Sequence, residues 1–227
     1  MNAARKPESA RRKTQHWKEA HKVAYDYLDR LATLGVEAAR IANGVGDLWK
    51  DLSGDRSSTC FTGQEVAFIA ERDSFYLASV SQTGWPYIQH RGGPRGFLRV
   101  LDATTLGFPD FRGNQQYLSL GNIAAEDRVA LFLMDYPHRR RLKILAHMTE
   151  RDLAAEPELA ARLTTSGYRG TQERVFTLRL EAFDWNCPQH ITPRFTSTEI
   201  EAATASLQQR VAALEAENDR LRAALEA

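Results

Sequence analysis

The sequence predicts a mainly β domain of the α+β class, an antiparallel barrel or sandwich with flanking helices. A helical extension precedes it and a coiled-coil helix follows it. Three observations carry this reading. Seven short runs rich in branched and aromatic residues lie between Asp73 and Trp185. Turn signals, rather than helix-length segments, separate most of them. At the C-terminal end, leucines recur at every seventh position.

Composition bounds the answer. A chain of 227 residues favours one domain with appendages, or two small domains. Hydrophobic residues make up 43% and charged residues 26%, which excludes a wholly disordered, collagen-like or mucin-like chain. Thirty Lys and Arg against 29 Asp and Glu leave a formal net charge of +1, so no global charge draws the chain to nucleic acid or to an anionic membrane. No apolar run approaches the roughly 20 residues that span a bilayer. The opening MNAARKPESARRK lacks the apolar centre of a signal peptide, so a soluble, cytoplasmic protein is expected. Cys60 and Cys187 are too few and too far apart for a disulfide framework.

Residues 1–61 read as a basic tail and a helical extension. Arg5, Lys6, Arg11, Arg12 and Lys13 stand against Glu8 without interleaved aromatics, which suits a solvated tail better than a nucleic-acid arm. From His16 to Ile41 the positions Val23, Tyr27, Leu31, Leu34, Ala38 and Ile41 recur at helical spacing, until Gly44 and Gly46 break it. A linker over Asp51–Cys60 leads to Thr62-Gly-Gln-Glu65, a capping box opening a short helix around Val66, Phe68 and Ile69. Residues 62–196 form the β domain. Its strands are expected at Ser74–Ser81, Trp85–Arg91, Phe97–Leu101, Thr105–Pro109, Arg128–Asp135, Arg141–Thr149 and Arg174–Phe183. Helical insertions are expected near Tyr117–Ile123 and Glu156–Thr164.

Residues 197–227 carry the clearest local signal. Ile200, Leu207, Leu214 and Leu221 occupy heptad d positions, which places Thr204, Val211, Asn218 and Leu225 at a. Leucine at d, valine at a and a single a-position asparagine favour two parallel strands, with the asparagine setting register. Arg210 would face Glu215 of the other chain and Glu217 would face Arg222, pairings that form only when the helices run parallel. A parallel homodimer through Leu207, Val211, Leu214, Asn218 and Leu221 is therefore expected, in preference to a surface helix packed on its own domain.

Familiar catalytic constellations are missing. The sequence has no nucleophile elbow, GxGxxG turn, GKS or GKT phosphate loop, or CxxC. Its six histidines show no metal-ligand spacing, so no metal site is expected. Three polar and basic clusters remain. Gln89-His90-Arg91 ends a strand before Gly92 and Gly93, where glycine permits close backbone approach to a ligand. Arg112 and Asn114 lie on a Gly-containing loop ahead of a helix, a favourable anion site. His138-Arg-Arg-Arg-Leu-Lys143 enters the next strand. Singly, each reads best as a solvated turn; together in one small β domain they point to a phosphate-bearing ligand.

The colinear series G-x-PY, GNQQYLSLGN, RVALFLMD, RRRLKI and DWNCPQHITPRF resembles the pyridoxamine 5'-phosphate oxidase-like family. The resemblance covers about residues 62–196. It implies a split β-barrel that binds flavin mononucleotide (FMN) across a homodimer interface. By that resemblance, Gln89, His90, Arg91 and Gly92 lie nearest the ring and ribityl chain, and Phe108 and Pro109 end the second flavin strand. Arg112, Asn114 and Ser119 fall in the phosphate loop, Arg141 and Leu142 follow the RVALFL strand, and Trp185 and Arg194 bracket the last flavin contact.

Departures from the pattern also carry information. The family's lysine at the end of the first flavin strand falls on Pro94. Gln189-His190-Ile191-Thr192-Pro193 stands where the namesake oxidases hold the vitamin substrate with Arg and His. The resemblance thus implies the cofactor with a different small substrate. Redox chemistry would be the flavin's, and the protein would supply orientation and electrostatics. Cys187 and His190 are the weak catalytic candidates, each read first as a lining or loop residue. Three other readings are a non-catalytic FMN or haem carrier or stress-related protein of the same fold, a deazaflavin-dependent reductase, and a coiled-coil interaction protein whose β domain is scaffold.

Overall fold

The computed structural model describes residues 25–46, 60–165, 167–185 and 188–226. The basic tail, Cys187 and nearly all of the expected linker lie outside the described residues. Two compact units divide the chain: Met1–Asp135 with Arg140–Pro188, and Tyr136–Arg139 with Gln189–Ala227.

The first unit is built on seven strands: β1 (Ser74–Val80), β2 (Pro86–Gly92), β3 (Arg99–Asp102), β4 (Thr105–Phe111), β5 (Arg128–Asp135), β6 (Arg140–Arg151) and β7 (Gln172–Trp185). They form one sheet in the order β2-β1-β5-β6-β7-β4-β3, antiparallel throughout. This is the split barrel of an α+β fold. Each expected strand is present, and boundaries differ by a few residues at most. Alternation drives the assembly: along β5 buried positions alternate with half-buried ones after exposed Arg128, sending Val129, Leu131 and Leu133 inward. Long β6 and β7 can wrap one core because their pairing slips at Leu145/Ala146, a bulge that bends and twists the strands. Inside, Phe75 meets Phe108 edge-on at 5.2 Å and Phe108 meets Phe176 at 5.3 Å, with ring geometry that adds to the area they bury.

Helices cover this sheet. Periodicity predicts one helix over His16–Ile41; the described part is two, α1 (Tyr25–Leu31) and α2 (Leu34–Ala42). The break has a local cause. Thr33 leaves helical geometry (φ −110°, ψ 166°) and its hydroxyl accepts from the Val36 N–H at 3.3 Å, so a capping threonine overrides the 3.6-residue repeat. α1 is tied to the sheet by Arg30–Glu181 at 2.7 Å and by Lys143 Nζ 4.7 Å over the Tyr27 ring. α3 (Gly63–Ala70) opens on the expected capping box, in which the Thr62 N–H donates to Glu65 Oε2 at 2.9 Å. Buried Glu65 also accepts from Trp185 Nε1 at 2.6 Å, which locks α3 to the end of β7. α4 (Leu118–Ala125) and α5 (Pro157–Leu163) occupy the two expected insertions.

The second unit contains α6 (Ser197–Leu225), whose 29 residues open on a second capping box, Thr196 with Glu199. None of its residues is buried; Leu207, Val211, Leu214 and Leu221 all face solvent in the single chain. No described helix is long and apolar enough to cross a membrane.

Candidate functional site

Strand β2 ends the sheet, and its pleat sorts the first basic cluster. Tyr87, Gln89 and Arg91 are half-buried on one face, whereas Ile88 and His90 are exposed on the other. His90 turns to Tyr76, ring centroids 5.6 Å apart, away from Gln89 and Arg91. A three-residue cluster in sequence is thus a two-residue cluster in space, because side chains alternate along a strand. Neighbouring Gly93 is required for packing: a Cβ there would stand 2.6 Å from the Phe97 ring.

Gln89 and Arg91 face a cleft whose other walls are the end of β4, the 113–117 loop, the start of α4 and Glu173 of β7. At its floor, Arg91 Nη1 donates to Asp110 Oδ1, and Arg174 Nη1 lies 3.7 Å from Asp110 Oδ2. Burial pushes the Asp110 carboxyl above its ordinary value, outweighing the pull of Arg91 and Arg174 in the other direction. Although buried, Arg91 Nε and Arg174 Nη1 have no hydrogen-bond partner. Arg174 also reaches Glu150 at 3.2 Å and Glu173 at 3.5 Å, and its guanidinium sits 5.0 Å over the Tyr117 ring.

The loop is tied down by hydrogen bonds and left-handed backbone. Arg112 Nε donates to Glu173 Oε1 at 2.7 Å, which holds the Glu173 carboxyl below its ordinary range. Asn114 Oδ1 accepts from the Gln116 N–H at 3.2 Å. Gln115 (φ 60°) and Tyr117 (φ 51°) adopt left-handed backbone, a conformation that costs non-glycine residues energy. Buried Ser119, in the first turn of α4, donates to Gln89 Oε1 at 3.0 Å, and Tyr87 Oη donates to the same oxygen at 3.3 Å.

The structure therefore brings together Gln89, Arg91, Asn114 and Ser119, with Arg112 beside them. It places the other residues singled out from the sequence elsewhere. Gly92 pairs with Ser74 at the end of β2. Phe108 and Leu142 direct their side chains into the barrel core and Pro109 is buried in the β4–β7 ladder, so these three can offer a ligand backbone only. Arg141 lies over the Phe132 ring at 5.9 Å, on strand β6. Trp185 packs edge-on to Phe68 at 4.7 Å beneath the Arg140 guanidinium, closing the core as a structural aromatic would. From Arg174 to Trp185, β7 runs twelve residues, roughly 35 Å of extended strand. In the second unit, Arg194 stacks 4.9 Å over Tyr136 and His190 takes a left-handed backbone (φ 61°).

Asp110, Glu173, Tyr87 and Tyr117 complete the cleft and Arg174 backs it against Asp110, none of them singled out individually in the sequence. The expected strand Thr105–Pro109 stops one residue short of Asp110, and the signal passed over was Phe111, whose strand propensity carries β4 on through the aspartate.

Residues 61–181 match the family model described as pyridoxamine 5'-phosphate oxidase. Among solved structures, a candidate pyridoxamine 5'-phosphate oxidase from Lactobacillus delbrueckii is similar at 23% identity, covering 56% of this chain and 96% of that one, with a TM-score of 0.42. An FMN-binding protein from Syntrophomonas wolfei shares 11% identity over 54% of this chain and 83% of its own, TM-score 0.42. HupZ of Group A Streptococcus shares 14% over 60% of this chain and all of its own, TM-score 0.42. No curated protein matches the chain significantly.

Proposed function

The chain belongs to the pyridoxamine 5'-phosphate oxidase family, and from that premise we propose that it is a cytoplasmic, homodimeric FMN-binding flavoprotein acting as an oxidoreductase on a small substrate. One observation carries the reading: Arg91 in the cleft and Arg174 behind it converge on Asp110, each with a buried nitrogen lacking a hydrogen-bond partner. Guanidinium groups so placed suit a phosphate. Arg91, Arg174 and Ser119 would hold that group, and Gln89 and Asn114 would meet the polar chain behind it. A bound flavin would supply electron or hydride transfer, while the protein binds, orients and shields it from water.

Cleft size supports a dimer. A single chain encloses about 50 Å³ there, whereas ligand pockets hold roughly 300–1,000 Å³. A second wall from another copy would enlarge it. That copy could also bring an Arg141–Trp185 end, which within one chain lies far along β7 from Arg174. The exposed heptad of α6 would join the two copies in parallel, and a tighter dimer would raise flavin occupancy by mass action. The substrate would differ from pyridoxamine phosphate, since Pro94 and Gln189–Pro193 stand where the namesake enzymes carry cations.

An absorbance spectrum before and after adding FMN and desalting tests the proposal. Retained flavin bands at about one FMN per chain, bleached by a nicotinamide reductant and weakened in Arg91→Ala, are the expected result. A colourless protein that refuses FMN would overturn it, and retained bands that no reductant bleaches would reduce it to an FMN carrier.

A further inference from the structure

Every arginine of the cleft already has an acid beside it. Arg91 from β2 faces Asp110 of β4; Arg174 of β7 faces Asp110, Glu150 of β6 and its neighbour Glu173; Arg112 is held by Glu173. Three cations against three carboxylates leave the cluster formally neutral. No histidine lines the cleft among its described residues, and the other side chain against Arg174 is the Tyr117 phenol. A phosphate dianion entering this neutral, partly buried cluster would meet carboxylates already seated on the donors it needs.

Those carboxylates differ in what they can do about it. Glu150 is half exposed and can turn to solvent. Glu173 is fastened by Arg112 and by the Tyr117 hydroxyl, which favour its charged form. Asp110 is buried near the end of β4, opposite Arg174 of β7, and reaches almost no solvent to turn to, and burial already favours its neutral form. Protonation is the remaining route. A neutral Asp110 would release both guanidinium groups and could itself donate to a phosphate oxygen.

We infer that Asp110 is a positioning residue of this cleft that takes up a proton from solvent when an anionic oxyacid group binds to Arg91 and Arg174, so that anion binding and proton uptake are one linked event. The inference rests on the phosphate-binding reading above but not on the flavin being the ligand. It makes Asp110 the device by which the empty cleft keeps its arginines neutralised and ordered.

Sulfate is the probe that separates the two readings, because it carries no titrating proton near neutral pH. Calorimetric titration of the full-length protein with sulfate, in two buffers of unlike ionisation enthalpy, counts the protons taken up. The expected result is close to one proton per sulfate, with affinity falling about tenfold per pH unit where Asp110 is ionised in the free protein. Asp110→Asn should bind sulfate more tightly than the parent at about pH 8, with a flat pH profile. The wild-type proton count stands even if that variant fails to fold. A parent that binds no sulfate, or binds it with no proton uptake, or an Asp110→Asn protein that keeps the parent's pH slope, would overturn the inference. Linked sulfate binding in a protein that refuses FMN would uphold it while sinking the flavin reading.

Discussion

Phe176 in β7 and Leu214 in α6 are both large apolar side chains, and the chain treats them oppositely. Phe176 has no solvent exposure and is packed against Phe108; Leu214 lies 47% exposed on a helix without a buried residue. The barrel satisfies its hydrophobic pattern within one chain. The helix repeats an equally regular pattern and leaves it unsatisfied. An isolated helix in water is marginal, because propagation barely offsets nucleation without tertiary packing. The contrast teaches that apolar periodicity announces burial but not whose surface provides it.

Four measurements test that difference. The largest effect is expected at the barrel: Phe176→Ala should cost about 3–5 kcal/mol in urea unfolding, through lost transfer energy and a cavity that rigid strands cannot close. A loss below about 1 kcal/mol would mean the core is far looser than its ring packing suggests. In α6, Leu207→Glu with Leu214→Glu should leave the barrel's unfolding midpoint in place yet weaken self-association more than tenfold by sedimentation equilibrium. Unchanged association would assign those leucines to something other than a second copy.

The third measurement concerns Arg112, more than half exposed and paired to Glu173. Arg112→Ala should move the urea midpoint only slightly, since water screens the exposed guanidinium, but should weaken FMN or sulfate binding several-fold. Equal affinity in parent and variant would make that loop mere scaffold. Smallest of all is Glu126, whose carboxyl is lowered to about 2 chiefly by hydrogen bonds from Arg128. Because the folded value is depressed, its contribution is complete above the ordinary carboxyl range and disappears as pH falls towards 2. Carbon-detected NMR should follow this carboxyl titrating near pH 2; a midpoint above 4 would show that the Arg128 pairing does not persist in solution.

Much of the fold was legible because it depends on local pattern. Alternation in Arg128–Asp135 and the Thr62–Glu65 box can be read from neighbours in the chain, and both appear as expected. The site was legible in part. Arg91 and Ser119 were found as cations and hydroxyls near turns, but Arg174 belongs to the cleft only because β7 pairs with β4, so that Asp110 lies opposite it. His90 was grouped with its neighbours although the pleat sends it the other way. Phe108 and Leu142 were read from the family pattern as flavin-contact positions; the core claims their side chains and leaves their backbone for such a contact. Threonine 33 shows a limit at shorter range, where a single capping hydroxyl ended a helix that periodicity alone would have continued.

The sheet's two ends have unequal consequences for handling the protein. β3 is four residues long, carries a register shift at Val100/Asp102 and is followed by Ala103, whose carbonyl accepts from the Phe61 N–H. β2 is seven residues long, pairs only with β1 among the described residues, and shows Ile88 and the adjacent Trp85 to solvent. An open, apolar strand edge is a template for another strand. β2 is therefore the edge on which a further strand would add first, and β3 the edge that its short length and bulge close off.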